Sequence, residues 1–196
     1  GSVDHAAKEG DPLNPSSPYG VSKAAFDMHL GIMHRIHGFP MNIVRPSNAY
    51  CPGQQLHRII PKAILCGLTG KKLQLQGGGR AEKSYIHADD LSRGIMAVLE
   101  RGTVGKVYNC GPDAPISMRD LAEKVAHACD ITFHDLVELA PERLGQDGRY
   151  WLNCDALRSI TWTPVVGLES GIAGMVNWII GHPEILNVDT TFRLRP

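Results

Sequence analysis

The sequence predicts an α/β protein, on three observations. Segments with apolar residues at steps of three or four recur along the chain. Short strand-like runs, Asn42-Ile43-Val44, Leu73-Gln74-Leu75-Gln76 and Lys106-Val107-Tyr108-Asn109, fall between them, and glycine, proline or a capping residue marks most junctions. Helices and strands that interleave, rather than forming separate blocks, imply a sheet covered by helices.

Each element has its own warrant. Residues 3–18 are rich in Pro, Gly, Ser and charge and read as a loop. From Tyr19 a helix is expected, with Val21, Ala25, Met28, Ile32 and Ile36 on one apolar face and Gly38 and Pro40 as stops. The strand at Asn42–Val44 runs into Arg45-Pro46-Ser47-Asn48. A helix over 59–68 ends at Gly70, the alternating 73–76 reads as a strand, and Gly77-Gly78-Gly79 as a tight turn. Asp89 or Asp90 can cap the next helix, whose Leu91, Ile95, Val98 and Leu99 share a face, and 106–109 is a strand. Ser117 with Asp120 resembles a capping box for a helix bearing Leu121, Val125 and Ala128, and the last helix carries Ile172, Met175, Val176 and Ile179. There is no internal repeat.

Composition excludes several classes. Twenty Lys and Arg balance twenty Asp and Glu, so nucleic acid and acidic membranes are not expected partners and any anion site must be local. No apolar run approaches the roughly 20 residues that span a bilayer. The five cysteines, Cys51, Cys66, Cys110, Cys129 and Cys154, are odd in number and never paired as Cys-x-x-Cys, which reads as reduced thiols in a cytoplasmic protein. His34 and His37 lack a neighbouring Cys or carboxylate, so no metal is expected. Trp162 and Trp178 read as core.

The strongest chemical signal is Tyr19-Gly20-Val21-Ser22-Lys23. Four residues rise about 6 Å along a helix, so Tyr19 and Lys23 share a face. A tyrosine hydroxyl ordinarily ionises near pH 10, and an ammonium beside it favours the phenolate. Such a phenolate can take a proton from a sugar hydroxyl while hydride leaves the same carbon for nicotinamide. On spacing alone, Tyr-x-x-x-Lys is common and an ordinary helix start with a surface lysine is the favoured reading.

The surrounding motifs decide between these. Asn14-Pro15-Ser16-Ser17-Pro18-Tyr19-Gly20-Val21-Ser22-Lys23, then Ile43-Val44-Arg45-Pro46-Ser47-Asn48-Ala49-Tyr50-Cys51-Pro52-Gly53, Arg58-Ile59-Ile60-Pro61, Gly77-Gly78-Gly79, Tyr85-Ile86-His87-Ala88-Asp89-Asp90, Tyr108-Asn109-Cys110-Gly111 and Arg143-Leu144-Gly145-Gln146-Asp147 follow in order. This series resembles the extended short-chain dehydrogenase/reductase family, most of all its dTDP-glucose 4,6-dehydratases and related nucleotide-sugar epimerases. The resemblance covers nearly the whole chain.

The resemblance implies the C-terminal part of an extended Rossmann-type, doubly wound fold plus a smaller substrate-binding domain. Residues 1–52 would end the cofactor domain, and 53–196 would form mainly the nucleotide-sugar domain, with return segments to the first. The glycine-rich turn that meets a dinucleotide pyrophosphate is not found, since Gly77–Gly79 precedes no helix. Gly1-Ser2 reads as the remnant of a removed tag, so the N-terminal cofactor-binding portion is expected to be absent and the chain alone inactive.

The implied cofactor is NAD, with NADP the alternative. Tyr19 would be the acid–base group, and Lys23 would hold the nicotinamide ribose and tune Tyr19. Pro46 and Ser47 would pass beside the nicotinamide. Asn48 would reach a substrate phosphate, Arg58 the nucleotide base, and the Leu73–Leu75 segment would lie along that base. Asn109 and Arg143 would contact the diphosphate. Two departures from the family stand out: Lys83 replaces an arginine, keeping the charge without the bidentate fork, and Cys51 replaces a glycine. The implied activity is an NAD-dependent 4,6-dehydratase acting on a nucleotide sugar, in a homodimer paired through the Tyr19 helix. The alternatives are a 4-epimerase and a non-catalytic nucleotide-sugar-binding fragment.

Overall fold

The computed structural model describes residues 4–142 and 148–188. In chain order its elements are α1 (Pro18–His37), β1 (Ile43–Pro46), β2 (Asn48–Tyr50), α2 (Ile59–Thr69), β3 (Leu73–Gln76), a turn of 3-10 helix at Gly77–Gly79, β4 (Glu82–Lys83), β5 (Tyr85–His87), α3 (Ala88–Arg101), β6 (Val107–Cys110), β7 (Ile116–Ser117), α4 (Met118–Ala128), α5 (Phe133–Leu136), β8 (Val137–Ala140), α6 (Asp155–Arg158) and α7 (Leu168–Ile180), with a last 3-10 turn at Pro183–Ile185. The α/β expectation holds.

Within the described residues, 4–49, 82–115 and 148–165 form one compact unit, and 50–81, 116–142 and 166–188 form another. The second unit thus begins at residue 50, and within 53–196 the segments 82–115 and 148–165 belong to the first unit. The chain returns to the first unit over 82–115, where β6 pairs in parallel with β1, Ile43 opposite Val107 through Pro46 opposite Cys110, and again over 148–165, where Leu152 bridges Ala7 and Arg149 bridges Glu82. Parallel neighbours cannot be joined by a tight turn, so the chain must travel away and back.

In the first unit, Ser17 caps α1 by accepting the Gly20 N–H at 3.1 Å, and Pro18 opens the helix. No residue of α1 is buried, and the predicted apolar face points outward: Val21, Met28, Ile32 and Ile36 are 53%, 66%, 45% and 64% exposed. The half-buried stripe is instead Gly20, Ala24, Asp27, Leu30 and His34. The core gathers Ile86, Val98, Tyr108, Leu152, Leu157 and Trp162. Trp162 is buried as expected and donates its indole N–H to the Asp90 carbonyl at 3.0 Å.

Helix α3 corrects two expectations. Its N-cap is His87, whose ring accepts from the Asp89 N–H, rather than either aspartate. Its buried face is Asp90, Gly94, Ala97 and Val98, whereas Ile95 and Leu99 are exposed. Small residues allow the close approach: a Cβ on Gly94 would sit 2.8 Å from the Cys110 sulfur.

In the second unit, β3 and β8 pair in parallel, Leu73 opposite Val137. Ile60, Ile64, Leu121, Val125, Ile172 and Ile179 fill its core, those of α4 and α7 from the faces expected from their spacing. Ser117 caps α4 through the Asp120 N–H at 3.0 Å. The reciprocal capping box lies elsewhere, between Thr132 and Asp135 at α5. Trp178 is half-buried, stacked on His182 with ring centroids 4.4 Å apart.

Candidate functional site

The start of α1 and the end of β1 enclose a groove of about 610 Å³ in the first unit, lined among others by Asn14, Tyr19, Lys23, Asp27, Pro46 and Tyr150. Tyr19, in the first helical turn, is 71% exposed. The Lys23 ammonium lies 5.8 Å from the centre of its ring. The helical step of four thus delivers a phenol and a cation to one face, with the positive end of the helix behind the phenol.

Pro46 forms part of the wall, and its carbonyl accepts the Tyr150 hydroxyl at 3.2 Å. Tyr150 is itself fixed: its N–H donates to the Glu82 carbonyl at 2.9 Å, and its carbonyl accepts the Ser84 hydroxyl at 3.0 Å. Burial pushes its phenol above the ordinary tyrosine range, the Cys154 side chain adds to this, and Arg45 opposes it. Tyr150 therefore stays protonated at neutral pH and acts as a donor. Its place opposite α1 is not readable from local spacing.

Ser47, 4% exposed, donates its N–H to the Cys110 carbonyl at 2.8 Å, but its Oγ has no partner among the described residues. A buried hydroxyl left in that state is normally found a partner, so this position suits a ligand that brings one. Asn48 gives its N–H and one amide proton to the Ser84 carbonyl, both at 3.1 Å, and its side chain remains exposed. Cys51 is not among the non-glycine residues of positive φ, which are Asp130 and Thr161, so its Cβ is accommodated.

Asn109 departs from its expected role. It is 1% exposed, and its two amide protons go to the Ala7 and Asn153 carbonyls at 2.9 and 3.0 Å, while its N–H goes to the Glu9 carboxylate at 2.9 Å. No donor remains for a diphosphate, and Asn109 instead ties the opening loop to β6. Leu73 and Leu75 are 2% and 3% exposed and point into the core of the second unit, so only the backbone and Gln74 and Gln76 of that strand can face a ligand. Arg58 is exposed at the N-cap position of α2 without a side-chain cap bond. Lys83 lies on β4 in the first unit. Arg143 lies outside the described residues. The structure thus brings Tyr19, Lys23 and Pro46 together in one unit, while Arg58, Leu73 and Leu75 belong to the other.

Burial pushes the Cys110 thiol up to about 12 and the Cys154 thiol up to about 11, so both are protonated at neutral pH and neither is a nucleophile.

Comparison with known proteins follows the same lines. The description of the NAD dependent epimerase/dehydratase family matches residues 1–111. The chain is 36% identical over 185 residues to a dTDP-glucose 4,6-dehydratase of Streptomyces griseus, covering 93% of this chain and 56% of that protein. The dTDP-glucose 4,6-dehydratase DesIV of Streptomyces venezuelae, solved with NAD bound, superposes with a TM-score of 0.88 at 32% identity, covering 94% of this chain and 57% of that one. A UDP-glucose 4-epimerase of Thermus thermophilus in complex with NAD superposes with a TM-score of 0.83 at 27% identity, covering 92% and 60%. The chain spans little more than half the length of the relatives it matches.

Proposed function

This chain belongs to the NAD dependent epimerase/dehydratase family, and from that premise we propose that it carries the acid–base and sugar-nucleotide part of a 4,6-dehydratase acting on a nucleotide-activated glucose. The observation that carries the reading is the groove holding Tyr19, Lys23 and Pro46 together.

The donor set suits NAD: an ammonium and a phenol on one helix face match a ribose, and the unpartnered Ser47 hydroxyl lies next in the chain to the Pro46 wall. Lys23 and the Pro46–Ser47 segment would hold NAD, which would supply reversible hydride chemistry at carbon 4 of the sugar. Tyr19 takes the proton of the carbon 4 hydroxyl as its C–H bond breaks, leaving a carbonyl at carbon 4. That carbonyl acidifies the hydrogen at carbon 5, from which loss of the carbon 6 hydroxyl as water can proceed. Lys23 places its cation over the Tyr19 ring and holds the ribose. The Tyr150 hydroxyl fixes the Pro46 carbonyl and with it the wall. Asn48 and Arg58, exposed polar side chains, supply phosphate and nucleotide contacts, and Lys83 supplies charge where relatives carry arginine.

The second reading, a 4-epimerase, draws on the likeness to the Thermus enzyme. Two further proposals complete the picture. The outward apolar stripe of α1 supports a homodimer through that helix, to be tested by sedimentation of the chain and of Met28→Asp. The five free cysteines support a reducing, cytoplasmic location, and among the described residues no helix is long and apolar enough to cross a membrane.

The deciding experiment is calorimetric titration of the chain, alone and extended upstream to the length of its relatives, with dTDP-glucose and UDP-glucose, with and without NAD. Binding by both forms with turnover only in the long one supports the dehydratase reading, and the product separates it from the epimerase. Binding without turnover in either form favours a binding fragment. No binding in either form removes the basis for the roles of Asn48 and Arg58.

A further inference from the structure

One ion pair in the groove is explained neither by the core nor by the roles above. Tyr19, Lys23 and Asp27 occupy successive i, i+4 positions on α1, so they line one face. On an isolated helix the Asp27 carboxylate would be the natural partner of the Lys23 ammonium. In the structure Asp27 instead accepts the Arg45 Nε–H at 2.7 Å, with the two side chains only 19% and 23% exposed. Arg45 is held for this by two anchors: its Nη1 donates to the Glu9 carbonyl at 3.1 Å, and its backbone lies in register with Asn109 on the parallel pair β1 and β6. Among the described residues Lys23 makes no ion pair, and its ammonium lies over the Tyr19 ring.

We propose that the Asp27–Arg45 ion pair is a positioning device that withholds the Asp27 carboxylate from Lys23, so that the ammonium is left for Tyr19 and for the ligand of the groove. The inference rests on the acid–base reading of Tyr19 and Lys23. The physical reason is competition. A guanidinium presents a directional N–H and keeps its charge at any working pH, so inside a half-buried groove it wins the carboxylate from a flexible ammonium. On a helix, moreover, a base placed N-terminal to its acid is the weaker ordering. Once Asp27 is captured, its charge is offset by Arg45. The charged and titratable groups around Lys23 are then Tyr19 and the neutralised Asp27 on its own helix, Arg45 on β1, and Tyr150 across the groove. A carboxylate paired to Lys23 would offset the cation that lies over the Tyr19 ring. Asp27 and Arg45 touch no reacting atom, and they act through Lys23.

The test uses the chain extended to its relatives' length, with Arg45→Met, Arg45→Lys and the double variant Asp27→Asn/Arg45→Met. In Arg45→Met the carboxylate is released. Lys23 is expected within about 4 Å of it in the variant's crystal structure, the salt-bridge distance. The acid limb of the pH profile of kcat/KM is expected to move up by about one unit, about tenfold in rate on that limb. The double variant has no carboxylate to capture Lys23 and should return to within about threefold of the parent, a reversal that only coupling through Lys23 produces. Arg45→Lys keeps a cation beside Asp27 and should keep the parent profile. A purely structural pair predicts the opposite: the double variant is no better than Arg45→Met, and losses appear in amplitude with the limb unmoved. That outcome overturns the proposal. Should Arg45→Met not fold, an acid limb raised in Arg45→Lys overturns it and an unmoved one supports it. If the parent turns over no sugar nucleotide, the functional reading fails separately, and a Lys23–Asp27 contact present or absent in the variant crystal still decides this inference.

Discussion

Replacing Tyr19 by phenylalanine separates chemistry from structure at this site. The ring is 71% exposed, and among the described residues its hydroxyl makes no hydrogen bond. The contact of its face with the Lys23 ammonium, 5.8 Å from the ring centre, survives in phenylalanine. Removing one exposed hydroxyl should therefore change stability by no more than about 0.5 kcal/mol. For a chain of this size that is a melting shift of about 2 °C at most. If Tyr19 moves the proton of the sugar hydroxyl, the same change removes general acid–base catalysis, about 10²–10⁴-fold in turnover. That ratio corresponds to about 3–5 kcal/mol of transition-state stabilisation. The assay pairs thermal melting by circular dichroism with turnover of dTDP-glucose by the upstream-extended chain, followed by NMR of the sugar. Binding of the sugar nucleotide should persist. Turnover within about threefold of the parent would refute an acid–base role. A fall in melting temperature of about 5 °C or more, with activity lost in proportion, would refute the claim that the tyrosine is spared from the packing.

Three other outcomes follow from the structure. Asp90 is fully buried, and its carboxylate accepts the Val165 N–H at 3.0 Å and pairs with the Arg93 guanidinium; Asp90→Ala should cost about 3 kcal/mol or more, read from the urea midpoint, and Asp90→Asn, which keeps an acceptor, distinctly less. Gly79 has φ of 74° and a Cβ there would lie 2.8 Å from both the Arg119 nitrogen and Leu75; Gly79→Ala should cost about 2 kcal/mol or more by thermal melting, since a left-handed backbone alone costs about 1–2 kcal/mol for a residue with a Cβ. The Asp135 carboxyl is held below its ordinary 3.8 by hydrogen bonds from the Thr132 hydroxyl and N–H. A lowered carboxyl stabilises the fold above the unfolded value and loses that contribution as pH falls through the folded one, so its effect vanishes in the acid range below 3.8. Thr132→Ala should move the Asp135 carboxyl titration upward by carbon NMR, and an unmoved titration would show that the capping box does not set it.

Local rules made much of the fold legible. Ser117 announces its helix, the alternation of 73–76 is a strand with Leu73 and Leu75 inward, and Ile172, Met175, Val176 and Ile179 turn to one core. What local rules missed depends on partners distant in sequence. The strands β2, β4, β5 and β7 span two or three residues each, too short for any period to register. The return of 82–115 to the first unit brings the parallel pairing of Ile43 with Val107, which leaves no trace in either segment. Asn109 carried the same limit: its residue type fits a phosphate ligand, and only the fold reveals that Ala7 and Asn153 occupy its amide.

Helix α1 shows how the site itself was half legible. Period analysis finds its strongest stripe in Val21, Ala25, Met28, Ile32 and Ile36 and assigns that stripe to the core, because burial is what usually selects for such a stripe. The chain instead turns the opposite side inward, where Gly20, Ala24 and Asp27 are half-buried and Arg45 reaches Asp27 from β1. The Tyr19 and Lys23 pair was readable because both members sit on one helix. The partner of Asp27 was not, since it lies on a strand and only folding brings it within 2.7 Å. Sequence spacing therefore put Tyr19 and Lys23 on one helix face, whereas the partner of Asp27 depends on a contact between elements. The Asp27–Arg45 pair joins the two: it ties a side chain one helical step beyond Lys23 to a strand, so a substitution at Arg45 on β1 reaches the helix face that carries Lys23 and Tyr19 through Asp27.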